Sequence, residues 1–374
     1  MKEPERREVL QKILEEYELP GKVVGASSGA SVTCFEIALI PGVNVRKVAK
    51  LAPVIAKRFS VANVRVVAPI PGTPRVGIEI PNERRRKVDL REILKTAVQK
   101  CGKMHLPVVV GTNVKNKPVA FDLATAPHVL VAGCDEDEKN MGLDAVIVNL
   151  LCRFPPDGLN FVMLDSSKKC LEKYGNLPHI LPPLCAEPAE FPATLKWVSD
   201  EIDRRNKMFI RERVRTLYEL LRRANEAEEE GAVAPVRLPY IIVVLGELAE
   251  AMTGREKRKI EMELCRIALC GRPAGIHLIV GTSQVRRNSL TCVIKATLPT
   301  RICFRVESDT ESRLILDAAG AELLTGGGDL LLATSDMKII RTQCATIPFR
   351  ELANATYSVC QLNTSTPRNL QKGR

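Results

Sequence analysis

What this sequence lacks removes several classes of function. None of its 12 cysteines forms a Cys-x-x-Cys pair, and only 4 histidines are present. Zinc-finger and iron–sulfur spacings are therefore absent, and no metal site is expected. No run approaches the ~18 apolar residues of a membrane-spanning helix. The start, Met1-Lys2-Glu3-Pro4-Glu5-Arg6-Arg7, is charged and offers no apolar segment for a secretory signal. The expectation is a soluble, cytoplasmic chain whose cysteines are buried, reduced thiols. No internal repeat, low-complexity linker or aromatic stacking series is apparent.

What is there is an ordinary globular composition: 374 residues, 45% hydrophobic and 26% charged, enough for about two or three domains. The formal charge of +11 favours a polyanionic partner, nucleic acid before membrane. One segment concentrates this charge. Arg204, Arg205, Lys207, Arg211, Arg213, Arg215, Arg222 and Arg223 face only Glu212 and Glu219 over residues 204–223. That segment reads either as a solvated, charge-paired helix face or as a DNA-facing surface.

Helical spacing over 5–17, alternation over 23–39, an amphipathic helix over 45–59 and strands over 64–70 and 76–80 describe a small α+β domain, 1–105. Continuous apolar runs then recur with helical stretches between them, at Pro107–Gly111, Val129–Ala132, Phe161–Leu164, Tyr240–Leu245, His277–Val280, Arg301–Arg305 and Leu330–Leu332. Strands buried on both faces and separated by helices predict an α/β domain with a mainly parallel sheet over 106–355. A polar tail, 356–374, is expected to be flexible.

The first strand–loop–helix junction of such a sheet is where phosphates bind. Here strand His128–Ala132 runs into Gly133-Cys134-Asp135-Glu136-Asp137-Glu138-Lys139-Asn140, and a helix is expected over 141–154. Position, length, Gly133 and Lys139 fit the P-loop frame Gly-x-x-x-x-Gly-Lys-Ser/Thr. The second glycine is replaced by Glu138, and the magnesium-binding hydroxyl by Asn140. Four consecutive acids, Asp135 to Glu138, occupy the loop where a triphosphate would lie. A second strand, Tyr240–Leu245, ends in Gly246-Glu247, where a metal-holding Asp and a base Glu belong. Glu247 reads equally as a retained base or as a surface carboxylate.

The blocks Val64-Arg65-Val66-Val67, Ile70-Pro71-Gly72 and Ile80-Pro81-Asn82 resemble the small α domain of FtsK/SpoIIIE motors. The run Ala126 to Gly133 is similar to the strand entering that family's Walker A loop. Gly271-Arg272-Pro273-Ala274-Gly275-Ile276-His277-Leu278, Pro299-Thr300-Arg301-Ile302, Gly320-Ala321-Glu322 and Gly328-Asp329 extend the match over nearly the whole chain. The resemblance implies a RecA-like P-loop NTPase domain, ATP and magnesium as cofactors, and hexameric rings around double-stranded DNA. It also implies a role in chromosome segregation. The family's winged-helix reader and membrane helices are expected to be absent from these residues.

Carried over onto this sequence, Gly133, Lys139 and Asn140 stand at the nucleotide site, Glu247 at the base, Ser283 at the sensing Gln, and Arg272 at an Arg that acts across a subunit boundary. Arg286 and Arg287, after strand His277–Val280, are the first DNA-contact candidates, and Arg211, Arg213 and Arg215 the second. Both sets read otherwise as solvated surface. Three readings follow. The first is a pseudo-ATPase that binds DNA or joins a ring with an active relative, with ATP–magnesium binding weak or absent. The second is an active translocase with an unorthodox site. The third is a structural ring partner without DNA binding.

Overall fold

A computed structural model describes residues 3–346 apart from 71, 168–169, 182–183, 233–235 and 337, with backbone alone for 98–100. The tail expected over 356–374 lies outside the described residues. Among the described residues, no helix is long and apolar enough to cross a membrane.

The first unit comprises α1 (Glu3–Glu16), β1 (Gly21–Ser28), β2 (Val32–Leu39), α2 (Val45–Lys50), α3 (Ala52–Arg58), β3 (Arg65–Val67) and β4 (Val76–Pro81). Its four strands form an antiparallel sheet in the order β1-β2-β4-β3. Leu10, Ile13 and Leu14 of α1 and Val48 and Ile55 of α2 and α3 cover the sheet residues Phe35, Ile37, Ile78 and Ile80. The single helix expected over 45–59 is two helices meeting at Leu51. Pro53 lacks an N–H to continue the ladder, but it fits the opening turn of a new helix.

The second unit begins with β5 (Val88–Asp89), α4 (Leu90–Cys101), β6 (Pro107–Asn113), β7 (Pro118–Asp122) and β8 (His128–Ala132). It continues with α5 (Glu136–Leu151), β9 (Leu159–Leu164), α6 (Phe191–Arg211), α7 (Leu217–Glu229) and β10 (Tyr240–Leu245). The remainder is α8 (Leu248–Ala251), α9 (Lys257–Cys270), β11 (Ile276–Thr282), α10 (Cys292–Thr297), β12 (Thr300–Cys303), α11 (Asp309–Leu316), β13 (Asp329–Ala333) and β14 (Ile339–Thr346). The sheet order is β7-β6-β14-β13-β12-β8-β11-β10-β9, with β5 beside β14. Strands β9, β10, β11, β8 and β12 are parallel.

The α/β class expected from the apolar runs holds, and the parallel half carries the P-loop junction. The sheet as a whole is mixed, because β13–β14 and β6–β7 are hairpins, which pair antiparallel. Strands β7 and β14 escaped the sequence pattern. The first alternates in burial, and the second buries Arg341, Thr342 and Gln343 rather than an apolar run.

The apolar cores divide between Ile80 and Leu90. Leu90, Ile93 and Ala97 of α4 belong to the larger core, so this helix packs with residues after the expected boundary at 105. A buried charge network ties the two units. Arg341 of β14 donates to Asp329 of β13 at 2.5 and 3.0 Å and to Glu79 of β4 at 2.8 Å, and Arg65 reaches the same Glu79 at 3.1 Å. Burial opposes the charge on Arg341, but Asp329 and Glu79 outweigh it and hold the guanidinium above its ordinary range. Arg85 adds bonds to the carbonyls of Thr325 and Gly326.

Cys34, Cys101, Cys170, Cys185, Cys303 and Cys344 are buried free thiols, as expected, whereas Cys270 and Cys292 are exposed.

Two histidines sit inside the parallel sheet. His128 Nε2 bonds the Ala268 carbonyl at 2.8 Å while Nδ1 accepts from Leu278 N at 3.0 Å, which fixes a neutral tautomer. Burial lowers its pKa to about 4, and that of the wholly buried His277 to about 3. Both folded values lie below the unfolded one, so the unfolded chain binds more protons in acid, and stability present above pH ~6.5 is lost as pH falls. Unfolding free energy should drop by about 2 kcal/mol per histidine between pH 7 and 5. Urea midpoints at the two pH values measure this, and His128→Gln should flatten part of the slope.

Candidate nucleotide site

The acidic loop is first of all a helix start. Asp135 is the N-cap of α5, and its Oδ1 accepts from Asp137 N at 2.9 Å and Glu138 N at 3.1 Å. Carboxylates in a first helical turn are favoured by the helix dipole. Helix α5 accordingly begins at Glu136, earlier than expected. The N–H groups that would hold phosphate are thus engaged by a side chain of the same loop.

The acids do not all lie where a triphosphate would. Glu136 and Asp137 are exposed, while Glu138 is buried and turns to the glycine-rich turn before β13, where its Oε1 accepts from Gly328 N at 3.3 Å. Burial pushes its carboxyl pKa up. Gly133 has a packing reason: a Cβ there would come within 2.8 Å of Phe304 Cβ.

Lys139 is 2% exposed, and its Nζ is spent on the Gly246 carbonyl at 3.0 Å and Glu247 Oε2 at 3.3 Å. Glu247, expected as a base or as surface, is a buried hub. Besides Lys139 it accepts from Ala249 N at 3.0 Å, Thr282 Oγ1 at 2.9 Å, Ser283 N at 2.8 Å and Ser283 Oγ at 2.7 Å. Three of these donors fall on Oε2 and two on Oε1, one of the two being the Thr282 hydroxyl, whose single proton also faces the Gln284 carbonyl at 3.1 Å, so the carboxylate is crowded by protein donors rather than open to a water. Ser283, at the sensing position, belongs to this hub; Gln284 is exposed.

Asn140 stands apart from Lys139. Its Oδ1 is buried without a partner among the described residues, and it lines a cavity of about 380 Å³ with Asp137, Met141, Asp144 and Lys173. Asp144 is held there by Lys173 at 2.5 Å and Tyr174 at 2.7 Å.

Sequence reasoning missed Asp165, the residue after β9. It is wholly buried, and its carboxylate accepts from Ser167 Oγ at 2.7 Å, Cys170 N at 2.9 Å and Leu171 N at 2.8 Å. A Cβ on Gly246 would come within 3.1 Å of Asp165 Oδ1. An Asp restored at 246 would therefore meet an existing carboxylate. The signal was available: an acid closing one apolar strand next to another that ends in glycine.

The residues present do not fit an ATP–magnesium cradle. The helix N-terminus is capped, the lysine is paired, and neither Gly246 nor Asn140 supplies the expected metal ligand. Among the described residues no cluster of three or more His, Cys, Asp or Glu could hold a metal ion.

The FtsK/SpoIIIE family model matches residues 89–288, and the FtsK alpha domain model matches residues 2–82. The chain belongs to the FtsK/SpoIIIE family. It is 35% identical to DNA translocase SftA of Bacillus subtilis (strain 168) over 93% of its own length and 36% of that protein's. It is 32% identical to DNA translocase FtsK of Treponema pallidum (strain Nichols), over 92% of this chain and 43% of that one. The chain thus spans well under half the length of these two relatives.

Among solved structures, the monomer form of the pCW3 conjugation coupling protein TcpA with ATPγS superposes with a TM-score of 0.61 at 18% identity, over 96% of this chain and 99% of that one. EssC (ATPases 2 and 3) from Geobacillus thermodenitrificans gives 0.59 at 15% identity, over 70% and 50%. Both show the P-loop ATPase fold.

Within this FtsK/SpoIIIE frame the candidate arginines fall at two ends of the sheet. Arg286 and Arg287 are exposed in the loop after β11, at the carboxyl end of the parallel strands. Arg272 is exposed in the turn leading into β11, at the opposite end. The basic 204–223 segment is not one helix: α6 ends at Arg211, Arg213 is left-handed with φ 53°, and Thr216 caps α7. Val214, buried in the break, and the Thr216 cap explain the interruption. Arg205 is buried against Glu201 at 2.8 Å and the Ala274 carbonyl at 2.9 Å, and Arg204 pairs with the same Glu201. The Arg205 charge is structural, while Arg204 is an exposed partner of the same carboxylate. Arg211, Arg213 and Arg215 remain exposed, and the start of α7 is tied to the turn before β11 by Leu217 N, which donates to the Pro273 carbonyl at 2.8 Å.

Proposed function

We propose that this chain is a degenerate FtsK/SpoIIIE motor module, a P-loop ATPase fold retained to hold duplex DNA and to join a ring while hydrolysing little or no ATP. The observation that carries this is the buried Glu247 carboxylate, whose oxygens are taken up by Lys139, Ala249, Thr282 and Ser283 rather than turned to a water. The Asp135 cap and the paired Lys139 support weak or absent nucleotide binding. On this reading the chain acts in the cytoplasm, in a homo-hexamer or beside an active relative. Its functional division falls at 81–89, ahead of the boundary at 105 that composition suggested. DNA lies against Arg286 and Arg287, and Arg272 faces a neighbouring subunit. The reading of an active ATP-driven translocase is favoured only by the survival of Lys139 and Glu247 in contact.

ATP hydrolysis with and without duplex DNA decides between the two, with no DNA-stimulated turnover expected. Calorimetry complements it. Micromolar ATP–magnesium affinity in the parent, lost in Lys139→Ala, would overturn the pseudo-ATPase reading. A repaired loop, Asp135→Thr with Glu136→Gly, Glu138→Gly and Asn140→Ser, should raise ATP affinity by at least about tenfold, the worth of one good interaction. Turnover should stay absent while position 246 has no carboxylate.

A further inference from the structure

Helix α9 is apolar on two sides. Ile260, Leu264 and Ile267 turn inward and are buried, together with Glu263. On the outward side Met262 is 62% exposed and Leu269 75% exposed, seven residues apart, with the half-buried Cys265 between them. Single apolar side chains are ordinary on a surface, but these share one stripe with the exposed Val293 of α10, along an open groove of about 680 Å³. Contacts to phosphates have no use for such a stripe.

The spacing is that of a helix with a helical partner. With Met262 and Leu269 at a positions of a heptad, Arg258 and Cys265 fall at d, Glu261 at g and Arg266 at the following e. In two parallel helices the g residue of one faces the next e residue of the other, and here those two carry opposite charge. Within one chain they stand on opposite flanks of the stripe. Glu261 accepts from Thr291 Oγ1 at the cap of α10 at 2.6 Å, and Arg266 donates to Asp203 of α6 at 2.7 Å. These contacts orient both side chains without exhausting them, since a guanidinium has five N–H groups and a carboxylate two oxygens. A second copy of the chain therefore brings the complementary charges in the complementary order, and symmetry makes the pair twice.

We propose that two copies of this chain pair through their α9 helices, parallel and about a two-fold axis that runs along the seam. Met262 and Leu269 each meet their counterparts, Glu261 of either copy meets Arg266 of the other, and Cys265 faces Cys265. The same surface serves both copies, so this contact closes at two. The seam is only 14 residues long, and Arg258 sets like charge against like at its start, which makes the pairing weak, at the small end of specific interfaces. The inference goes beyond the reading of the chain as a degenerate motor module and does not depend on it.

Sedimentation velocity of the full chain under reducing conditions, at ~5 and ~100 μM, brackets the affinity of so small an interface. The dimer fraction should rise with concentration. Met262→Lys/Leu269→Lys should weaken pairing at least about tenfold and Arg258→Leu should tighten it by a similar factor, the worth of one good interaction. All three side chains are exposed, so these variants should melt as the parent does. Glu261→Arg and Arg266→Glu should each pair less well alone, and their equimolar mixture should recover the parent's affinity, because each then meets an opposite charge. The register has its own readout. Diamide, which takes up the two protons and two electrons that two thiols release, should give a covalent dimer that is absent in Cys265→Ser and present in Cys270→Ser. A parent that stays monomeric at ~100 μM overturns the proposal and leaves the stripe to a different protein. Association indifferent to Met262→Lys/Leu269→Lys, or a covalent dimer that survives Cys265→Ser, overturns it equally. ATP turnover by the parent would sink the pseudo-ATPase reading and leave the pairing intact.

Discussion

Lys139→Ala should lower the melting temperature of the larger unit by roughly 6–12 °C. The lysine is 2% exposed, and its hydrogen-bond partners among the described residues are the Gly246 carbonyl and Glu247. Removing one member of a buried pair leaves an uncompensated charge, at a cost of about 3 kcal/mol or more. For a unit of this size each kcal/mol shifts the midpoint by about 2–4 °C. The remaining donors to Glu247, from Ala249, Thr282 and Ser283, keep the effect near the lower end of the range for buried pairs. Lys139→Met retains most of the aliphatic stem and should recover part of the loss, which separates packing from charge. A lysine kept for phosphate would behave differently, with its alanine variant folding normally and failing only in nucleotide binding. Calorimetric melts of parent and both variants decide, and an unchanged midpoint for Lys139→Ala would refute the structural role.

Replacing Arg286 and Arg287 by Ala should reduce duplex affinity by roughly a hundredfold at ~50 mM salt. The estimate assumes one phosphate contact for each arginine, both exposed at the carboxyl end of β11, where open α/β sheets place ligands. A phosphate contact contributes about 0.9 to the slope of log K against log salt, worth about tenfold at that salt relative to 1 M. The double variant should therefore lose about 1.8 from the slope. Contacts of this kind read no sequence, so duplexes of different sequence should respond alike. Fluorescence anisotropy across a salt series measures both quantities. A variant that binds as the parent does, with the same slope, rules this loop out. A parent that binds no duplex at ~50 mM salt removes the DNA reading as a whole.

Local pattern determined a good deal by itself. The seven apolar runs mark seven strands of the larger sheet, because residues buried on both faces must be apolar whatever packs on them. The P-loop frame and the family blocks are linear signals, so the FtsK/SpoIIIE resemblance was legible before any coordinates. The acidic run was legible only in part. Asp135-x-x-Glu138 has the spacing of a helix cap, and that reading competes with one of a loop hostile to phosphate. Charge composition also marked 204–223, but it could not place the buried Val214 that breaks the helix.

Tertiary structure decided the rest, and in each case a distant contact is the reason. Lys139 meets Gly246 107 positions away, and Glu247 collects donors from α5 and from the end of β11. Gly133 faces Phe304, and Gly246 faces Asp165. Helix α4 joins the second core through strands on both sides of it in the chain. β14 is a strand because its neighbours on either side pair with it, although Arg341, Thr342 and Gln343 give it no apolar signature. Residue types and their spacing say which groups are present. Whether a lysine and a glutamate are free to act on a nucleotide depends on who else reaches them, and only the folded sheet brings those partners together.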